Sequence, residues 1–155
     1  MPPRRGAAPD PGLLVVDAST FFDEVFGRDP AADGLIEALA EACFRFAFDA
    51  KLKGEYKQLD HLPNVTYNLF QVRRRLFSKG VPRVRAGPSL PRTIRASSWD
   101  PDDDHLLTAA IASGAGRIVT SERRNLNAAG TVRAQLGVEV VDNAEAARLA
   151  LRRCP

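Results

Sequence analysis

Four carboxylates stand at the ends of stretches that read as buried strands, or on the helix after one. Asp17 closes Leu13-Leu14-Val15-Val16, Glu55 lies beyond Phe44 to Phe48, Asp104 ends the run Asp102-Asp103-Asp104, and Glu122 follows Ile118-Val119-Thr120 by two residues. In a parallel sheet with helices on both faces the carboxyl ends of strands meet at one crevice, so acids far apart in sequence become neighbours in space. Carboxylates gathered there repel and raise one another's pKa, a cost that a divalent cation relieves most directly. The pattern predicts a magnesium or manganese site built from acids alone.

To bring these acids together the chain must alternate strands and helices, and its pattern does so. Leu13 to Val16 is a short apolar run with two β-branched members after Pro11-Gly12, as for a strand buried on both faces. Asp17 opens a helix to about Phe26, and residues 31–43 carry Leu35, Leu39 and Ala42 at helical spacing. Phe44 to Phe48 alternates like a second strand, and Asp49 is placed to cap a helix with Leu52, Tyr56 and Leu59 on one stripe. A further helix is expected over 65–78, then an extended loop over 81–98 containing Pro82, Pro88 and Pro91. Residues 103–113 read as a helix, 117–120 as the third strand, 126–136 as a helix stopped by Gly137, and 138–141 as the fourth strand, with Asn143 capping a last helix over 144–152. This order implies an α/β fold, a three-layer α/β/α sandwich around a parallel sheet of four to five strands. Residues 1–12 are expected to be a disordered arm and 13–153 a single domain.

Composition narrows the classes. A chain of 155 residues suits one domain with a substantial core, and no apolar run reaches the length of a membrane span. Arg4 and Arg5 are not followed by an apolar segment, so no signal peptide is expected. Cys43 and Cys154 have neither ligand spacing nor a disulfide framework, which predicts reduced thiols and a cytoplasmic protein. The net charge of +3 is unevenly spread: between His61 and Trp99 there is no Asp or Glu, while Arg73, Arg74, Arg75, Lys79, Arg83, Arg85, Arg92 and Arg95 fall in that stretch. Such an excess attracts polyanions, although a solvated basic helix face has the same composition. Beside an acidic metal site, the nucleic-acid reading gains weight. His61 and His105 lack partners at ligand spacing and read as ordinary polar residues, Asp102 and Asp103 read as helix-start acids, and Phe46, Phe48, Phe70 and Phe77 read as core.

Taken in order, Leu-Leu-Val-Val-Asp17-Ala-Ser19, the helix capped by Asp49 with Glu55-Tyr56, Asp100-Pro-Asp-Asp-Asp104-His-Leu-Leu-Thr-Ala-Ala, and Gly-Ala-Gly-Arg-Ile-Val-Thr120-Ser-Glu122 resemble the PIN-domain ribonucleases. The similarity is nearest to the VapC-like members of bacterial and archaeal toxin–antitoxin pairs and spans about Leu13 to Val141. The resemblance implies a PIN-like fold and a magnesium- or manganese-dependent endoribonuclease, with RNA as substrate and an antitoxin protein or a second copy as candidate partners. It maps the catalytic acids onto Asp17, Glu55, Asp104 and Glu122, with Asp17 and Asp104 as direct metal ligands and Glu55 and Glu122 as ligands through water or orienters of the attacking water. Ser19, Thr120 and Asp102 support them, and Arg73, Arg74, Arg75 and Arg124 are the expected nucleic-acid contacts.

Two departures fall after the third strand. The family pattern there is Thr-Gly-Asp with another Asp two residues on, whereas this chain has Thr120-Ser121-Glu122-Arg123-Arg124. The acid is one methylene longer, and a cation replaces the auxiliary acid. Arg124 then either grips a substrate phosphate or fills the second metal position in a degenerate module that binds RNA or a protein without cleaving. Asp17-Ala-Ser19 is also similar to the start of a metal-dependent adhesion motif, but Phe21 stands where that motif needs a hydroxyl. A phosphatase of the haloacid dehalogenase type would need a second Asp where Ser19 stands.

Overall fold

The computed structural model of the chain describes residues 8–58 and 89–152. The helix expected over 65–78, the loop over 81–88, His61, Arg73, Arg74, Arg75, Phe70, Phe77 and Cys154 lie outside them. Strands β1 (Asp10–Val16), β2 (Arg45–Phe46), β3 (Ala115–Val119) and β4 (Glu139–Val141) form one parallel sheet in the order β2-β1-β3-β4. The described helices are α1 (Ala18–Val25), α2 (Leu35–Glu41), α3 (Ala50–Gln58), α4 (Arg92–Ala96), α5 (Asp104–Ser113), α6 (Arg123–Asn127), α7 (Ala129–Leu136) and α8 (Asn143–Ala150), with 3-10 turns at Pro30–Ala32 and Pro101–Asp103.

Leu14, Val15, Ile118 and Val119 are wholly buried, because β1 and β3 lie at the centre of the sheet with helices over both faces. α2 and α8 pack together over one side, α5 packs against β1 and β3, and α3 touches both α1 and α5. The Phe21 and Tyr56 rings meet edge to face at 4.8 Å between centroids, which fixes α3 against α1. The result is the α/β sandwich that the strand and helix order predicts. From β1 the chain crosses to β2, and from β3 it crosses the opposite way to β4, so the carboxyl ends of β1 and β3 flank the switch point where such sheets open a crevice.

Several local readings are corrected. β1 starts at Asp10, so Asp10, Pro11 and Gly12 belong to the sheet and not to an arm; the Asp10 amide donates to the Gly114 carbonyl at 2.7 Å. This start depends on a glycine, since a Cβ on Gly116 would lie 2.5 Å from the Asp10 carbonyl oxygen. Within the expected loop, residues 92–96 form α4: Pro91 presets the backbone for a turn, and buried Ile94 and Trp99 hold the segment on the core. Asp142, not Asn143, caps α8, its Oδ1 accepting from the Glu145 amide at 2.8 Å. Asn143 is instead buried, accepting from Thr20 Oγ1 and donating to Asp23 and Asp29. Cys43 is disulfide-bonded, against the expectation of reduced thiols. Among the described residues no helix is long and apolar enough to cross a membrane.

Candidate active site

Parallel pairing runs past the strand ends into the residues that carry chemistry. The Asp17 amide donates to Val119 O at 2.8 Å and the Thr120 amide to Val141 O at 3.1 Å. Asp17 is only 4% exposed, and its Oδ2 accepts from both Ser19 Oγ and Thr120 Oγ1, each at 2.8 Å. The same two hydroxyl oxygens accept from the backbone, Ser19 Oγ from the Ser121 amide and Thr120 Oγ1 from the Glu122 amide, both at 3.1 Å. Ser19 and Thr120 therefore bracket the first acid, and the loop bearing Glu122 is tied to them.

Helix capping separates two kinds of acid in this chain. Asp29, Asp49, Asp100 and Asp142 precede helices or turns and accept a backbone amide there, as short acids usually do. Asp17, Asp103 and Glu122 hold the N-cap positions of α1, α5 and α6, and none makes a side-chain cap bond. A lost cap costs about 0.5–2 kcal/mol. Asp17, with extended backbone directly before α1, is withheld from the role its position offers.

These acids also sense one another. Burial pushes the Asp103 carboxyl up, the Asn125 hydrogen bond opposes this, and the charges of Asp17 and Asp100 add to the rise. Glu122 is exposed, yet partial desolvation raises it as well, reinforced by Asp17, Asp103, Asp100 and Asp23. Glu55 is raised chiefly by burial, with His105 pulling it down and Asp17 pushing it up. The charges of Asp17 and Asp103 thus act on both Glu55 and Glu122. Asp104, the acid that the sequence pattern favours, pairs through Oδ2 with Arg95 and keeps Oδ1 buried without a partner among the described residues, while Asp103 takes a 2.7 Å donation from Asn125 Nδ2. One step of helix rotation, about 100°, separates adjacent residues, so a run of acids cannot reveal which member faces the sheet.

Asp102 is exposed, and its carbonyl, not its carboxylate, is the structural contact, accepting from Lys51 Nζ at 2.9 Å and lying 3.1 Å from His105 Nδ1. Arg124 is exposed and tied to the segment before α5, with Nε donating to Ser98 O at 3.2 Å and Nη1 3.7 Å from Asp100 Oδ2. It occupies the rim of the acidic field.

Two residues here were missed in the sequence. Asn125 is wholly buried and holds both the Asp100 amide, at 3.0 Å, and Asp103. Nothing in Arg123-Arg124-Asn125-Leu126 announces this. His105, read as an ordinary polar residue, is buried with Nε2 2.7 Å from Glu55 Oε1. Both atoms are shut off from solvent, and the contact is close without being aligned as a hydrogen bond, an alignment that a small rotation of either side chain would supply. The available signal was spacing: His105 lies four residues before buried Ala109, on the apolar stripe of α5.

All the candidate ligands are carboxylate oxygens, the donor type that hard divalent cations take. Among the described residues no three acids or histidines approach closely enough to form a ready cage for an ion. A family model described as PIN domain matches residues 13–124, more than two thirds of the chain. No curated protein and no solved structure matches.

Proposed function

The chain belongs to the PIN domain family, whose members are generally nucleases, and from that premise we propose a divalent-metal-dependent endoribonuclease of the VapC-like kind. One observation carries this reading: Asp17, Asp103 and Glu122 all sit at helix N-caps beside the switch point, and none spends its carboxylate on capping. Magnesium keeps several waters and needs only one or two carboxylates plus substrate phosphate, so the oxygen donors fit such an ion without a closed cage. When bound, the ion supplies the positive charge that activates water for phosphodiester hydrolysis.

In this proposal Asp17 and Asp103 hold the ion, with Asp103 in the part that the sequence assigned to Asp104. Glu55 and Glu122 orient the attacking water. Ser19 and Thr120 fix the Asp17 carboxylate, and Asn125 fixes Asp103. Arg124, with Arg73, Arg74 and Arg75, meets the RNA backbone, where guanidinium pairs with phosphate. We extend the reading to a toxin acting on cytoplasmic RNA, with an antitoxin protein as its partner and a homodimer as its assembly.

A second reading, a module that binds RNA or a protein without cleaving, is favoured by the lack of a ready ion cage among the described residues and by the Arg124 link to Asp100. Single-turnover incubation of unstructured RNA with manganese, beside a chelated control, decides. Manganese-dependent cutting supports the nuclease. RNA retained intact with manganese present supports the binding module, and neither cutting nor retention overturns both.

A further inference from the structure

Glu55 reaches the acidic field differently from the other acids. Asp17 and Glu122 follow the central strands β1 and β3, and Asp103 begins the helix packed on them, so backbone position alone brings them to the crevice. Glu55 rises from the second turn of α3, which follows β2 on the far side of β1, and its longer side chain has more torsional freedom to lose. Something has to hold it.

Two polar links join α3 to the segment Asp102–His105. Lys51 Nζ donates to the Asp102 carbonyl at 2.9 Å, and one helical turn later Glu55 Oε1 lies 2.7 Å from His105 Nε2. The His105 ring is oriented by its other nitrogen, Nδ1, 3.1 Å from that same Asp102 carbonyl. With Nδ1 directed there, the Nε2 edge points at Glu55. His105 is 8% exposed, so its ring has little freedom to turn away. Metal-site carboxylates commonly depend on partners of this kind, whose loss costs about 10–100-fold in metal affinity or activity.

We infer that His105 is a positioning residue: it anchors the Glu55 carboxylate at the acidic crevice and, with Lys51, latches α3 to the segment that carries Asp103. The inference rests on the proposed metal-dependent function for its effect on catalysis, but the anchoring itself does not require a metal. A merely structural histidine would contribute to stability without being coupled to Glu55.

The test is a double-mutant cycle on the full chain with His105→Asn and Glu55→Gln, read as urea midpoint in chelator and as manganese affinity by calorimetry. Asn keeps a polar atom near Nδ1 but cannot reach Glu55, whereas Gln extends its amide nitrogen toward the Nε2 position. We expect His105→Asn to weaken manganese binding about tenfold in the parent and less than about twofold in the Glu55→Gln background, with His105→Gln recovering most of the loss. The urea cycle in chelator should show coupling between the two positions. Additive effects in that cycle overturn the inference whether or not the protein binds metal, and so does an equal loss of manganese affinity in both backgrounds. If His105→Asn does not fold, His105→Gln carries the same cycle, and its failure to retain parental manganese affinity counts against anchoring through Nε2. A parent that neither binds manganese nor cuts RNA defeats the nuclease reading and leaves the chelator cycle to judge His105.

Discussion

Both hydroxyls that reach Asp17 donate to Oδ2, so neither engages Oδ1. A carboxylate fixed by one oxygen keeps its orientation while the other is spared for a ligand, which is how a buried acid is presented without being consumed. Asp103 is treated the same way, its Oδ2 held by Asn125. Asp104 is also held by one oxygen, its Oδ2 paired with Arg95 and its Oδ1 buried without a partner among the described residues, but there the holder is a cation that offsets the charge a metal would meet. Asp103→Asn should therefore lower manganese-dependent cleavage by more than about 100-fold, beyond what the loss of a supporting contact costs, while Asp104→Asn should leave it within about tenfold. Single-turnover rates for the two variants check this. Equal losses, or a larger loss at Asp104, would return the role to the residue that the sequence pattern favoured.

Elements, more than single residues, decide whether Asp17 is delivered to the right place. β1 approaches β3 irregularly between Asp10 and Leu14, and the approach is close enough that Gly116 tolerates no side chain: a Cβ would meet the Asp10 carbonyl carbon at 2.8 Å and Pro11 Cα at 2.9 Å, both backbone atoms that cannot swing away. Gly116→Ala should cost about 1–3 kcal/mol in urea unfolding, the usual penalty of overpacking a fixed site. An unchanged midpoint would mean that the first turn of β1 detaches easily. The central elements were legible in the sequence for a physical reason. Leu13 to Val16 and Ile118 to Val119 are apolar without interruption because both faces of those strands are covered, and Asp49 caps α3 as its position predicts, accepting from the Leu52 amide at 2.7 Å. What stayed hidden depends on contacts between distant segments. α4 exists because Ile94 and Trp99 find the core, Asn143 is taken from its capping position by Thr20, Asp23 and Asp29, and Arg95 and Asn125 give Asp104 and Asp103 different partners. No local periodicity encodes those partners.

At the scale of the whole molecule, the acidic crevice is a reserve of unfavourable charge. The carboxyls of Glu55, Asp103 and Glu122 all lie above their ordinary values in the folded protein, chiefly through burial. A group raised in this way adds stability below its unfolded pKa, about 3.9 for Asp and 4.3 for Glu, and that contribution is lost as pH rises through the higher folded value. At neutral pH the protein therefore carries the cost of ionising these groups, which the proposed divalent cation would offset. Manganese at about 100 times its dissociation constant should stabilise the fold by about 2.7 kcal/mol near pH 7. The effect should shrink toward zero near pH 4, where protons occupy the same oxygens. Thermal melts with and without manganese across this range measure it, and a manganese effect independent of pH would place the ion elsewhere.

Trp99 is the only tryptophan in the chain, and it is buried to 1% exposure with an indole N–H that meets no partner among the described residues. Its neighbours on either side are bound to the loop after β3: Ser98 exchanges hydrogen bonds with Arg124, and the Asp100 amide donates to Asn125. All indole emission from this protein thus originates at the joint between the two segments that bear Asp103 and Glu122. The molecule carries a built-in optical gauge, readable without a label, in which a change of colour or lifetime reports motion at that joint.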